Sequence, residues 1–190
     1  MKSLLYAFFA TVLLSGCGYN TIQKQDEEVN SAHAQVLSVY QKRFDLIPNI
    51  VQVVKGYADH EKSVFTEVAE ARASVGRVTL PKDATPEQAK EFMDSQKNFG
   101  STLSRLLMVA ENYPQLKADA GFRDLQRQLE EIESQATASR NKYIRSIKTY
   151  NTTVRSFPVN LTAMVFGYKA KPQVQFENEQ EIRKSPQVKF

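Results

Sequence analysis

The chain has 190 residues, 25 of them lysine or arginine against 21 aspartate or glutamate, with a formal net charge of +4 and one cysteine, Cys17. That length suits one ordinary domain and argues against two, and a lone cysteine excludes an internal disulfide. The charge is unevenly laid out: residues 17–139 hold 14 basic and 18 acidic side chains, net −4, whereas residues 140–190 hold 10 basic and 3 acidic, net +7. A basic end can meet anionic lipid headgroups or an acidic partner, although a solvated helix face followed by a loose tail is the plainer account.

The first element is an export signal over residues 1–16. Lys2 supplies a short positive start and Leu4–Leu14 (LLYAFFATVLL) an unbroken apolar run. About eleven residues rise only about 16 Å as a helix, against roughly 30 Å of hydrocarbon, so the run spans a bilayer poorly and reads as a signal peptide. Leu14-Ser15-Gly16-Cys17 follows and resembles the lipobox of bacterial lipoproteins. That resemblance implies a diacylated Cys17 thiol and cleavage that leaves Cys17 as the first mature residue. A buried structural thiol and an uncleaved short anchor are the competing readings, and the place of Cys17 at the end of the apolar run argues against the first. Two or more acyl chains hold a protein stably on a membrane without a transmembrane helix. Gly18, rather than aspartate, follows the cysteine, which by the same resemblance points to the outer membrane, facing the periplasm, if the host has two. An exported protein is not expected to meet nucleic acid.

Residues 17–25 read as a lipidated tether and 26–158 as a helical bundle. The segment 26–44 carries Val29, Ala32, Val36, Val39 and Tyr40 at helical spacing. Asp45-Leu46-Ile47-Pro48 either restarts a helix, with Asp45 as N-cap, or kinks a continuous one. A seam then alternates steps of four and three: Ile50, Val54, Tyr57, Glu61, Val64, Val68, Ala71, Val75. Gly76–Pro86 is a loop ending in a Thr85-Pro86-Glu87 helix start. Phe92, Gln96, Phe99, Leu103, Leu106, Ala110 and Tyr113 repeat the pattern before Tyr113-Pro114 ends or bends the helix. A long helix is expected over 117–157, about 60 Å, with its seam on Phe122, Leu125, Leu129, Ile132, Ala136, Ser139, Tyr143, Ile147, Tyr150, Val154 and Phe157. Three segments holding a 3.5-residue repeat predict an all-α fold, an elongated antiparallel bundle of three to four long helices with a short irregular C-terminal segment. In that segment, 159–178, Asn160–Phe166 reads as a short helix stopped by Gly167, and Gln173–Phe176 as an extended strip laid on the bundle. Residues 179–190 read as a disordered tail.

Little in the chain points to catalysis. An acylated Cys17 is no nucleophile. The histidines, His33 and His60, lack the Glu-x-x-His partners of a bundle di-iron site, since positions 30 and 57 are Asn30 and Tyr57. Phosphate-loop, zinc and nucleophile-elbow spacings are missing. No metal, cofactor or enzymatic activity is expected. Glu61 occupies a seam position with Tyr57 one turn before it, and Glu111, Glu133 and Arg140 lie on or beside the seams. These four are the candidate buried polar network, either a binding site or a register-fixing set of ion pairs with Arg43, Arg72 or Arg140. Because an unpaired buried carboxylate is costly, the second is preferred. Tyr113-Pro114, Phe157-Pro158 and Leu161–Tyr168 either close the core, the favoured reading, or form an exposed docking patch. Asn151-Thr152-Thr153 and Asn160-Leu161-Thr162 match a eukaryotic glycosylation pattern by chance.

Several strings resemble the LemA family of bacterial membrane-associated helical proteins. They are Tyr19-Asn20; Arg43-Phe44-Asp45-Leu46-Ile47-Pro48-Asn49-Ile50-Val51; Tyr57-Ala58-Asp59-His60-Glu61; Glu111-Asn112-Tyr113-Pro114-Gln115-Leu116-Lys117; then Phe122, Leu125-Gln126, Leu129, Glu133, Arg140, Tyr143, Tyr150-Asn151 and Phe157-Pro158. They fall in the family's order over nearly all of the mature chain. Phe44 and Ile144 depart from the usual arginine and asparagine, and neither change disturbs a helix. The resemblance implies a mostly helical protein anchored near its N-terminus, often by a transmembrane helix, which here gives way to lipid. It implies a fold and a location rather than a reaction. The expectation is a non-enzymatic envelope lipoprotein, held to the membrane through lipid on Cys17, whose bundle serves as scaffold or adaptor for unidentified envelope proteins. The alternative is a membrane-active or transport-accessory protein touching anionic lipid through its basic C-terminal third.

Overall fold

A computed structural model describes residues 2–173, with side chains from residue 18 onward, and every regular element among the described residues is an α-helix. In chain order these are α1 (Lys2–Tyr57), α2 (Lys62–Val75), α3 (Pro86–Glu111), α4 (Pro114–Ala118), α5 (Ala120–Arg155) and α6 (Val159–Phe166). Three of them, of 56, 26 and 36 residues, are long, so the all-α expectation holds. The helices divide into two compact units. One takes in the described residues of Met1–Lys42 and Ile132–Gln173, the other Arg43–Glu131.

In the first unit, Ile22, Val29, Ala32, Val36, Val39 and Tyr40 of α1 and Ala136, Tyr143, Ile147, Tyr150 and Val154 of α5 are buried. Both sets fall at steps of three, four and seven, with Tyr40 beside Val39, so each helix turns a single stripe inward. The pairs that bridge them fix an antiparallel register. His33 packs on Tyr143 with ring centroids 5.5 Å apart, Arg140 donates to the Tyr40 hydroxyl at 3.1 Å, and Lys142 donates to Gln35 at 3.2 Å. As residue numbers rise along α5 they fall along α1. The stripe reaches back to Ile22, which is fully buried. Residues 18–25, read from sequence as a tether, are therefore helical and continuous with α1, because an isoleucine at this spacing extends the seam by one more repeat.

The second unit holds the rest of α1, the α2–α3 hairpin, α4 and the start of α5. Thr85 opens α3 with a reciprocal capping box. Its hydroxyl accepts from the Gln88 amide at 3.3 Å, its own amide donates to the Gln88 side chain at 2.9 Å, and Pro86 occupies the first turn, as the Thr-Pro-Glu start predicts. Glu67 near the start of α2 pairs with Arg105 near the end of α3 at 2.8 Å, which sets the hairpin antiparallel. Phe92, Gln96, Phe99, Leu103, Leu106 and Ala110 are all buried, as their spacing requires.

Two breaks differ from the expected ones, and at Pro48 the structure takes one of the two courses left open. There α1 runs on through the proline, the continuous alternative, and Asp45 does not restart a helix. Ile47 and Ile50, each 1% exposed, flank the proline, and their burial offsets the lost backbone bond. The helix stops at Tyr57, well after the proline. A continuous seam would bury the Tyr57 hydroxyl and the Glu61 carboxylate. The turn at 58–61, closed by the Glu61 amide on the Ala58 carbonyl at 3.0 Å, leaves Tyr57 exposed and Glu61 half-buried, with Ala58 inside. The long helix expected over 117–157 is likewise split at Asp119, whose extended backbone (ψ 128°) lets its carboxylate cap α5 through the Phe122 amide at 2.8 Å. The short helix before Gly167 is present, with Gly167 at φ 76° in the left-handed cap its position calls for. The strip at Gln173–Phe176, beyond its first residue, and the tail 179–190 lie outside the described residues.

The burial pattern predicts a sharp contrast between two phenylalanines that the sequence places on one seam. Phe122 is fully buried, whereas Phe157 is 80% exposed. Phe122→Ala should cost about 3–5 kcal/mol in chemical denaturation, and Phe157→Ala no more than about 0.5 kcal/mol.

Candidate functional site

The four residues expected to form a buried polar network are placed differently. Glu61 is the half-buried N-cap of α2 and makes no side-chain cap bond. Glu111 ends α3 on the surface, paired with Lys117 at 2.7 Å. Glu133 is exposed on α5. Arg140, half-buried, donates to Tyr40 at 3.1 Å and to Thr137 at 3.0 Å. Glu111 and Glu133 are thus at the surface, because each sits just off the apolar stripe that its helix turns inward. His33 is a core residue against Tyr143, and His60 is exposed in the turn after α1. Among the described residues no three His, Cys, Asp or Glu side chains are grouped to hold a metal.

Besides Gln96, the buried polar side chain among the described residues of the second unit is Arg43, with Arg72 half-buried. Arg43 is 4% exposed, with its guanidinium 5.4 Å from the Phe99 ring centroid. A Cβ at Gly100 would sit 2.7 Å from its Nη2, so the glycine leaves the space that the guanidinium fills. Arg72 stacks on Phe44 at 4.1 Å. Such cation–π contacts hold a cation inside an apolar setting. In the same unit Tyr57 donates to Asp119 at 3.1 Å. The Asp119 carboxylate holds the Tyr57 phenol above its ordinary value. The Phe122 amide first, and the Tyr57 hydroxyl second, hold the Asp119 carboxyl below its own. These are structural joints, tying the end of α1 to the start of α5.

The first unit carries the arrangement with the clearest outward face. After Arg155 the chain turns through a cis Phe157–Pro158 bond and folds α6 back onto Gly18 and Tyr19 of α1. A Cβ on Gly18 would lie 2.9 Å from a Val159 methyl carbon. Gly18, read from sequence as the residue after an acylated cysteine, therefore also admits α6 to close packing. Tyr19 stacks on Phe166 (4.8 Å) and Tyr168 (6.3 Å), and Gln23 donates to both the Tyr19 and Tyr168 hydroxyls. Burial first, and then the bond with Tyr19, hold the Tyr168 phenol above its ordinary value. Thr162 and Ala163 face inward, while Phe157, Leu161, Met164, Val165 and Phe166 remain exposed. Core closure, the reading favoured from sequence, describes only the inner side of α6.

A short strap, residues 167–173, follows α6 and is pinned by Asn151. The buried Asn151 accepts from the Lys171 amide at 2.7 Å and donates to the Lys171 carbonyl at 2.8 Å. Lys171 itself pairs with Asp26 at 3.0 Å and lies 5.3 Å from the Tyr150 ring. In the sequence Asn151 figures in a chance glycosylation match and in the Tyr150-Asn151 string of the family resemblance, with no role attached. Its adjacency to the buried seam residue Tyr150 is the available signal, since a polar side chain beside a seam needs a partner. Asn151→Ala should cost about 1–3 kcal/mol by leaving the strap's backbone groups unpaired, and should speed tryptic cleavage after Lys169 without altering helix content.

The family model for the LemA family matches residues 32–190. Among curated proteins the chain is similar to magnetosome proteins MamQ 2 and MamQ 1 of Paramagnetospirillum magneticum (strain AMB-1). Each is 24% identical over 181 residues, covering 86% of this chain and 65% of the relative. It is also similar to magnetosome protein MamQ of Magnetospirillum gryphiswaldense, at 23% over 183 residues, covering 87% and 66% respectively. The chain thus spans just under two thirds of the length of these relatives. Since the family match takes in most of the chain, from Ala32 on the α1 seam to the last residue, this protein belongs to the LemA family, a family of membrane-associated bacterial proteins.

Proposed function

We propose that this protein is a lipid-anchored envelope protein whose helical bundle is a non-enzymatic scaffold or adaptor for other envelope proteins. The observation that carries the reading is the apolar run Leu4–Leu14 ending on Leu-Ser-Gly-Cys17 in a member of this family. Acyl chains on that thiol would hold the protein at a membrane surface, and among the described residues no helix is long and apolar enough to cross one. Gly18 after the cysteine favours the outer membrane, facing the periplasm, in a host with two. Long helices with charged outer faces suit a scaffold, because they offer extended surfaces for partners rather than a pocket shaped around a small substrate. Similarity to magnetosome proteins fits a role on a membrane, although those relatives are longer.

Metabolic labelling with an alkyne-bearing fatty acid tests the anchor. The wild-type chain should take up label and show a mature N-terminus at Cys17 by mass, and Cys17→Ala should lose the label entirely. A mature product that keeps Met1 and a free thiol would contradict it. Photocrosslinking in intact cells tests the scaffold, which predicts discrete protein adducts from the exposed bundle faces.

A further inference from the structure

We propose that the outer face of α6 is a second membrane contact, an interfacial helix that sinks Phe157, Leu161, Met164 and Val165 into the headgroup–acyl boundary of an anionic bilayer. The inference rests on the N-terminal anchoring proposed above and names what this end of the first unit does once it is held there.

Three observations converge on this face. The first is its chemistry: Phe157, Leu161, Met164 and Val165 are 80%, 53%, 76% and 79% exposed. Leu161, Met164 and Val165 recur at i, i+3 and i+4, so they form one stripe on the side of α6 opposite Thr162 and Ala163, and Phe157 stands exposed in the turn just before the helix. Large apolar side chains grouped in this way mark a surface that water does not normally keep. The second is position. α6 packs on Gly18 and Tyr19, the residues directly after Cys17 and the apolar run Leu4–Leu14. Cys17 and Gly18 are separated by about 1.5 Å of helix rise, so whatever membrane holds the start of α1 lies beside α6. The third is charge. Residues 140–173 contain seven lysines and arginines and no aspartate or glutamate. Arg155 and Lys169, both exposed, flank α6 at its two ends, where their stems can lie along the apolar face and their charges reach lipid phosphates. Eight residues of helix are about 12 Å long, far too short to span and well suited to lying in the interface. A protein partner would need an apolar groove rimmed with acid, whereas an anionic bilayer offers both at the height the anchor already fixes.

The chain has no tryptophan, so a single introduced one reports its own surroundings. Full-length Met164→Trp, isolated from membranes and reconstituted into phosphatidylcholine/phosphatidylglycerol vesicles, should show blue-shifted emission quenched by lipids brominated on the acyl chain. Met108→Trp, on α3 and 60% exposed at the native residue, should remain water-like and unquenched. In the Cys17→Ala background, Met164→Glu/Val165→Glu should lower co-sedimentation with these vesicles on the order of tenfold or more. Far-UV circular dichroism of every variant should be unchanged, because each altered α3 or α6 side chain is exposed. A chain that floats with vesicles while the indole of the Met164→Trp variant stays water-like would overturn the proposal and leave the lipid anchor standing. Shielding of that indole only in native envelopes, with crosslinks to a protein, would overturn it in favour of a protein partner. Failure of fatty-acid labelling at Cys17 would overturn the anchor separately, without changing what the introduced indole reports.

Discussion

A long helix in water can hide only one stripe of its surface, and in the first unit that stripe repeats at steps of three, four and seven from Ile22 to Val39 on α1 and from Ala136 to Val154 on α5. Outside that stripe, α5 and the part of α1 that pairs with it are mostly polar, and most of their stability comes from packing. In the first unit, mutual burial of the two stripes stabilises both helices, and it fixes register as well. His33 meets Tyr143, and Tyr40 meets Arg140, only in one alignment. A shift by one residue would turn every buried position toward solvent by roughly 100°.

The functional features follow from where that stripe ends. At one end of the first unit α5 stops at Arg155, the chain reverses, and α6 covers Gly18 and Tyr19 with its inner side only. Among the described residues no further helix of the unit covers its outer side, which leaves apolar residues facing outward next to the segment that precedes the bundle. Asn151 then pins the strap that follows, so α6 is held from both sides rather than hanging from a flexible tail. In the second unit, by contrast, polar groups are used inward: Arg43 is buried over Phe99 in space left by Gly100, and Asp119 both caps α5 and receives Tyr57. One unit is built to present a surface and the other to lock helix ends together.

Periodicity makes the seams legible. Val29, Ala32, Val36, Phe92, Phe99, Leu103, Tyr143 and Ile147 are buried where their spacing puts them, and Thr85-Pro86 and Gly167 mark the helix ends that their chemistry dictates. What periodicity does not carry is where a seam gives out. Tyr57, Glu61 and Phe157 continue the spacing yet leave the core. At Tyr57 and Glu61 the cost of burying polar atoms outweighs continuity, and at Phe157 no helix among the described residues covers the ring. Residues 18–25 show the opposite effect. Their polar composition looks like linker, but one isoleucine at the right phase recruits them into α1. The candidate polar network does not assemble because Glu111 and Glu133 sit beside the stripe rather than on it, an offset of about 100° that a residue list does not display. Asn151 and Gly18 are visible in the sequence only as motif letters. The role of Asn151 depends on a strap that returns after α6, and that of Gly18 on a helix from the far end of the chain.

Native-state hydrogen exchange of the full chain tests the central claim, that the paired stripes hold the molecule, most directly. The amides of Val36, Val39, Tyr143 and Ile147 should exchange only through global unfolding, with the largest and mutually equal protection in the protein, while those of the turn at 58–61 exchange by local opening. If these four amides exchanged as readily as the turn, or if those on α1 and α5 differed widely from each other, the two stripes would not be one cooperative interface, and the helices would have to be held by something else.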